Sequence, residues 1–136
     1  MSLSEQALLT VRDGAGELFG QTPDEVFSWN MALLAGGVTR WVCYEDDHVV
    51  GTMRDDPDAG VCVLHVYCSG SARQLSRAML AFHVELESLT SQPCAVTLSK
   101  ENSITRAMRR YGWVRSEHQI GFPGIYLWTL SLHTRN

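Results

Sequence analysis

Residues 60–117 read GVCVLHVYCSGSARQLSRAMLAFHVELESLTSQPCAVTLSKENSITRAMRRYGWVRSE. From Gly60 to Cys68 the run is apolar at nearly every position, the pattern of a strand covered on both faces near the centre of a sheet. The turn Ser69-Gly70-Ser71-Ala72 leads into a long helix reaching Leu89. There Leu75, Ala78, Met79, Phe82, Leu86 and Leu89 fall on one stripe at helical spacing. Burying each large side chain of that stripe contributes about 1.5–3 kcal/mol. Pro93 to Lys100 reads as the next strand, Asn102 to Tyr111 as a shorter helix stopped by Gly112, and Trp113 to Glu117 as another strand. This order sets a helix N-terminus at the carboxyl end of a buried strand. Unpaired backbone N–H groups and the helix dipole converge there, which makes the spot suited to an anion. A plainer reading of the same residues is that Ser71 caps the helix and Gln74 completes a Ser-x-x-Gln capping box.

Working outward from this stretch, Gly121-Phe122-Pro123-Gly124 is a turn, and Ile125 to Leu132 alternates as a final strand. Upstream, the Asp55–Gly60 segment is a Pro/Asp/Gly turn without the ligand spacing of a calcium loop. Trp41 to Tyr44 and Val49 to Met53, separated by Glu45-Asp46-Asp47, predict a hairpin. Thr22-Pro23-Asp24-Glu25 is a helix start with a capping box and proline at the first position, and Gly36-Gly37 is its stop. For the N-terminus, Leu8 to Arg12 (LLTVR) predicts a short strand followed by an irregular helical turn. The Ser2-x-x-Glu5 spacing offers a helix from Glu5 to Phe19 instead, which Gly14 and Gly16 weaken. Hairpins first and strand–helix alternation later predict a mixed α/β sheet of about six or seven strands with helices on both faces, in one domain spanning residues 1–136.

A chain of 136 residues with 45% hydrophobic and 19% charged residues has globular composition. The net charge of −4 argues against a nucleic-acid partner. One local exception is the trio Arg106, Arg109 and Arg110 on the short helix, either a solvated face or a contact for an anion or partner. The N-terminus lacks a signal-peptide pattern and no apolar run approaches the ~18 residues of a membrane span. The expectation is therefore a soluble cytoplasmic protein that does not bind membranes. Cys43, Cys62, Cys68 and Cys94 form no C-x-x-C pair and read as free thiols. Together with His48, His65, His83, His118 and His133 they show no metal-ligand spacing, so no metal site is expected.

The layout from Thr22 onward, and best between Gly60 and Val114, resembles the GNAT family of N-acetyltransferases. The piece Glu101-Asn-Ser-Ile-Thr-Arg-Ala-Met-Arg-Arg-Tyr-Gly112-Trp113 is similar to the family's helix that ends in an aliphatic–Gly–Phe step. The resemblance implies an acyl-CoA N-acyltransferase fold with acetyl-CoA as cofactor. It implies a cofactor-binding set of Val66, Cys68, Ser69, Gly70, Ser71, Arg73, Gln74 and Ser76, should the cofactor bind. In the family the turn before the long helix reads Arg/Gln-x-x-Gly-x-Gly/Ala, because small residues let backbone N–H groups approach the pyrophosphate. Aligned through Arg77-Ala78-Met79-Leu80, this chain has Ser71 at the first position, Gln74 at the key glycine and Ser76 at the second small residue. The family's general acid, a tyrosine four residues before the glycine, corresponds to Met108, which cannot transfer a proton. Tyr111 stands at the place of a core aliphatic residue. His65 on the central strand is the one candidate base, with a satisfied core histidine as the alternative.

Small acetyltransferase-like internal head or core proteins of short-tailed phages are a second, looser resemblance. They share the size, a degenerate CoA loop, the missing tyrosine and the Ser99-Lys100-Glu101-Asn102-Ser103 junction. This implies a non-catalytic structural or interaction component, packaged in a phage particle and bound to a protein partner or to further copies. Trp29, Trp41 and Trp128 would then be interface candidates, or else core residues. The alternative is an active acetyl-CoA-dependent N-acetyltransferase acting on a small-molecule or protein amine. Backbone N–H groups near Val66 to Ser69 would there stabilise the oxyanion. A third reading makes Cys68, beside a helix N-terminus, a nucleophile without an identifiable base.

Overall fold

The computed structural model describes residues 3–14, 22–37, 39–119 and 123–133, and for His118 and Gln119 the backbone alone. The elements run α1 (Glu5–Gly14), α2 (Pro23–Ala35), β1 (Thr39–Tyr44), β2 (Val49–Asp56), β3 (Val61–Cys68), α3 (Ala72–Leu89), β4 (Cys94–Lys100), α4 (Ser103–Arg109), β5 (Val114–Gln119) and β6 (Ile125–Ser131). The strands form a six-stranded mixed sheet in the order β1-β2-β3-β4-β6-β5. β3 and β4 are parallel, from Val61 opposite Cys94 to Val63 opposite Val96. β1–β2, β4–β6 and β5–β6 are antiparallel. The mixed α/β class and the strand number are as the sequence predicts. Contacts divide the chain into two compact units, Met1–Arg54 with Val66–Ala78 and Asp55–His65 with Met79–Asn136.

In the first unit the core joins Ala7 and Val11 of α1, Val26 of α2, Trp41, Val50 and Tyr67, with Leu3, Phe27, Met31 and Leu34 packed against it. The expected strand at Leu8–Arg12 is not there: these residues lie inside helix α1. Ser4 caps that helix by accepting the Ala7 N–H at 3.0 Å. Ala7, Thr10 and Val11 are buried at i, i+3, i+4 spacing, and it is this helical stripe that overrides the β-type composition. Ser2, the cap expected for a longer helix, and that helix's far end at Phe19 lie outside the described residues. α2 starts as expected, with the full Thr22–Glu25 capping box, and Gly37 leaves it at φ +77°. The β1–β2 hairpin closes at Tyr44 opposite Val49. Glu45, Asp46 and Asp47 in its turn all adopt positive φ, a conformation that costs about 1–2 kcal/mol per non-glycine residue.

The second unit buries Cys62, Leu64, Ala95, Met108, Trp113, Ile125, Trp128, Leu130 and Leu132. α4 is shorter than the sequence suggests and ends at Arg109. Its last turn tightens through Tyr111 N–H to Met108 O at 2.9 Å and Gly112 N–H to Arg109 O at 3.2 Å, and Gly112 turns the chain at φ +101°. Asn102 caps α4 in a reciprocal box with Thr105. Along α3 the predicted stripe is inward: Ala78, Met79, Phe82 and Leu86 are buried. Trp41 and Trp128 do not offer an interface, because they are 6% and 0% exposed; Trp29 is 42% exposed. Their rings are large enough that burial outweighs any surface role.

Candidate functional site

In the first unit the site is the junction between β3 and α3. The Ser69 N–H donates to His48 O at 2.9 Å, which ties the end of β3 to the start of β2. Thr10, fully buried on α1, donates its hydroxyl to Asp47 O at 2.6 Å. That uses its single proton, so the 2.8 Å contact between Thr10 Oγ1 and Ser69 Oγ has Ser69 as donor. Gln6 Nε2 adds bonds to Thr10 Oγ1 at 3.2 Å and to His48 Nδ1 at 3.4 Å. The Ser69 hydroxyl thus gives its proton to Thr10, while His48 Nδ1 also lies 3.4 Å from Ser69 Oγ. Ser4 Oγ donates to the Asp47 carboxylate, and Arg77 of α3 pairs with Glu45 at 2.7 Å. Both contacts hold the left-handed acidic turn.

One turn further on, the capping box read from the sequence is present. Gln74 Oε1 accepts the Ser71 N–H at 2.8 Å and Ser71 Oγ accepts the Gln74 N–H at 3.2 Å. Gly70 leaves room for this arrangement: a Cβ there would stand 2.6 Å from Gln74 Oε1 and 3.1 Å from His48 Cβ. The small residue therefore makes space for the chain's own carboxamide. Of the donors around the helix N-terminus, two are taken by side chains, and helix geometry leaves Ala72 and Arg73 N–H without intrahelical partners. A pyrophosphate needs several converging N–H groups and no bulk against them. As they stand, these residues do not fit one.

The remaining predicted loop residues spread out. Arg73 and Ser76 are exposed on α3, and Val66 is half-buried on β3. The Cys68 thiol is half-buried and contacts Gly70 O at 3.9 Å, so its partner is a carbonyl and not a base. The Cys68 backbone N lies against Gly14, where a Cβ would stand only 2.7 Å away. His65 falls in the second unit, half-buried on β3. The first unit brings together Ser69, Gly70, Ser71 and Gln74, and adds Gln6 and Thr10, which no sequence motif marks, and His48, which the sequence offers only as a possible metal ligand. A helical reading of the N-terminus would have shown Gln6 and Thr10 on one face.

In the second unit Met108, at the expected acid position, is 5% exposed and packs into the core. The Tyr111 ring stacks on His83 with centroids 4.1 Å apart and planes 10° from parallel. His83 Nε2 accepts the Trp113 indole N–H at 2.8 Å, so Nδ1 carries the proton and donates to Met79 O at 2.7 Å. Burial pushes the His83 pKa down, and the Met79 hydrogen bond partly opposes this. These bonds make Tyr111 and His83 members of an aromatic cluster with Trp113 and Phe82.

No protein-family model matches the sequence, and no curated protein matches it in sequence. Solved structures do match. A protein described as a GNAT-family acetyltransferase from Desulfovibrio desulfuricans superposes with a TM-score of 0.66 at 19% identity, over 96% of this chain and 95% of that one. The chain has the GNAT fold. An aminoglycoside 6'-acetyltransferase type Ii gives a TM-score of 0.66 at 12% identity, over 97% of this chain and 91% of that one. Spermidine N-acetyltransferase from Vibrio cholerae, in complex with CoA and spermine, gives 0.65 at 8% identity, over 96% and 93%. At these identities the likeness establishes the GNAT fold and no substrate. Among the described residues, no His, Cys, Asp and Glu group could hold a metal ion, and no helix is long and apolar enough to cross a membrane.

Proposed function

We propose that this GNAT-fold protein does not transfer acetyl groups and serves as a structural or interaction component. The reciprocal bonds between Ser71 and Gln74 carry this reading, because they occupy donors that acetyl-CoA's pyrophosphate would require. Met108 in the core supports it, since the position aligned with the family's acid carries a side chain that cannot donate a proton. A particle component of a short-tailed phage is the setting that the sequence pattern supports. Titration calorimetry with acetyl-CoA up to millimolar concentration tests the reading. We expect no saturable heat; one-to-one binding by the unaltered protein would overturn it.

The competing reading is an acetyl-CoA-dependent N-acetyltransferase with His65 as base. It is supported by the solved structures of the same fold, which are described as acetyltransferases, one of them with CoA bound. On that reading Gln74→Gly opens the site and raises CoA affinity at least tenfold over a measurable starting value. On ours the starting protein shows none.

A further inference from the structure

Residues 100–115 carry five of the eleven Lys and Arg residues and one of the fifteen Asp and Glu residues. The segment is therefore +4 in a chain of −4, and the rest of the molecule is −8. Glu101, its one acid, is shared by two arginines: Arg109 donates to one oxygen and Arg115 lies 3.4 Å from the other. Both guanidinium groups rest on aromatic rings, Arg109 over Trp128 at 5.0 Å and Arg115 over Tyr126 at 4.2 Å. Stacking and pairing hold these two side chains in place, so little rotamer freedom is left to lose on binding. Arg106 and Arg110 are exposed one turn apart on the same side of α4, and no ion pair holds either of them among the described residues. Like charges at this spacing repel, and the helix C-terminus offsets only part of such a cluster.

We infer that the arginine face of α4 and β5 is a docking surface for an acidic segment of a protein partner. The Glu101 carboxylate, met by Arg109 at one oxygen and by Arg115 at the other, shows the chemistry that the face accepts. A short acidic segment fits better than a nucleic acid. A long polyanion would also feel the −8 carried by the rest of the chain, which opposes it over about a Debye length. The surface shares no residue with the Ser71–Gln74 cap, so the inference does not rest on whether acetyl-CoA binds.

The test uses the whole chain and a fluorescent peptide of about ten glutamates at low salt, followed by anisotropy. We expect saturable binding that weakens with salt. Arg106→Gln combined with Arg110→Gln should lose at least tenfold in affinity. Arg40→Glu on β1 changes net charge by the same amount and should shift it less than about twofold. Neither α4 substitution removes a hydrogen bond or an ion pair among the described residues, and unchanged circular dichroism verifies the fold. No peptide binding, or equal losses in the two variants, would overturn the proposal. Tighter binding of a single-stranded oligonucleotide of equal charge would overturn it as well, in favour of a nucleic-acid surface.

Discussion

Gln74 Oε1 and the Ser71 backbone N–H lie 2.8 Å apart while Ser71 Oγ and the Gln74 N–H lie 3.2 Å apart, so each residue closes the other's open hydrogen-bonding group. A GNAT-type loop places glycine at the position of Gln74, and the box here exists because the side chain is present. Two consequences separate cleanly. Ser71→Ala removes one cap bond and should cost about 1 kcal/mol. Gln74→Gly removes the returning bond and adds glycine's helix penalty, for about 1–2 kcal/mol. Urea unfolding of both variants checks this. Equal stability of Gln74→Gly and the unaltered protein would mean that the cap contributes nothing in solution.

Much of this was legible in the sequence, and the reasons differ by element. The Ser-x-x-Gln spacing and the Thr22–Glu25 box are local rules that tertiary contacts do not disturb. The α3 stripe is long enough for its period to be unambiguous. LLTVR is β-like in composition, and the helical period of α1 appears only once Ala7 is counted with Thr10 and Val11. The tie from Thr10 to Ser69 spans 59 residues, and no local pattern announces such a contact. Trp41 and Trp128 were open between core and surface because a strand's two faces are equivalent until the packing layer is known.

Gly14 ends α1 against the end of β3. A Cβ added there would stand 2.7 Å from Cys68 N and 3.0 Å from Cys68 O, and both are backbone atoms that cannot rotate aside. Gly14→Ala should destabilise by about 1–3 kcal/mol despite alanine's better helix propensity. At Gly70 the nearest atom is the end of a flexible glutamine side chain, so Gly70→Ala should be milder. Thermal melts of the two variants rank them. A Gly14→Ala protein as stable as the unaltered one would contradict the close approach of α1 to Cys68.

Three buried side-chain atoms in the first unit, Asn30 Oδ1, Thr39 Oγ1 and Trp41 Nε1, have no hydrogen-bond partner among the described residues. The Thr39 hydroxyl therefore costs desolvation without return, and valine has the same shape with a better strand preference. Thr39→Val should stabilise by up to about 1 kcal/mol. Tyr67→Phe should do the opposite. Its hydroxyl accepts the Asn30 amide at 2.7 Å in the core, and losing it strands that N–H for about 1–2 kcal/mol. Chemical denaturation of the pair decides between them. A destabilised Thr39→Val would show that its hydroxyl is paired in solution, by water for instance.

His83 gives stability a pH dependence of fixed sign. Burial lowers its folded pKa beneath the ordinary value of about 6.5, because a charged ring would lose solvation and the Nε2 bond from Trp113. Above about pH 6.5 the ring is neutral in both states and contributes its full stability. As pH falls below that value, the unfolded chain takes up the proton first, and the contribution declines until the folded pKa is passed. His83→Phe keeps an aromatic ring against Tyr111 but abandons Trp113 Nε1 and Met79 O, so near pH 8 it should be less stable by about 1–3 kcal/mol. The gap between the two proteins should then narrow toward pH 5, because only the unaltered chain carries this titration. Urea unfolding at about four pH values across that range reads it directly. A gap that stays constant or widens as pH falls would mean that His83 is not held neutral by its two partners.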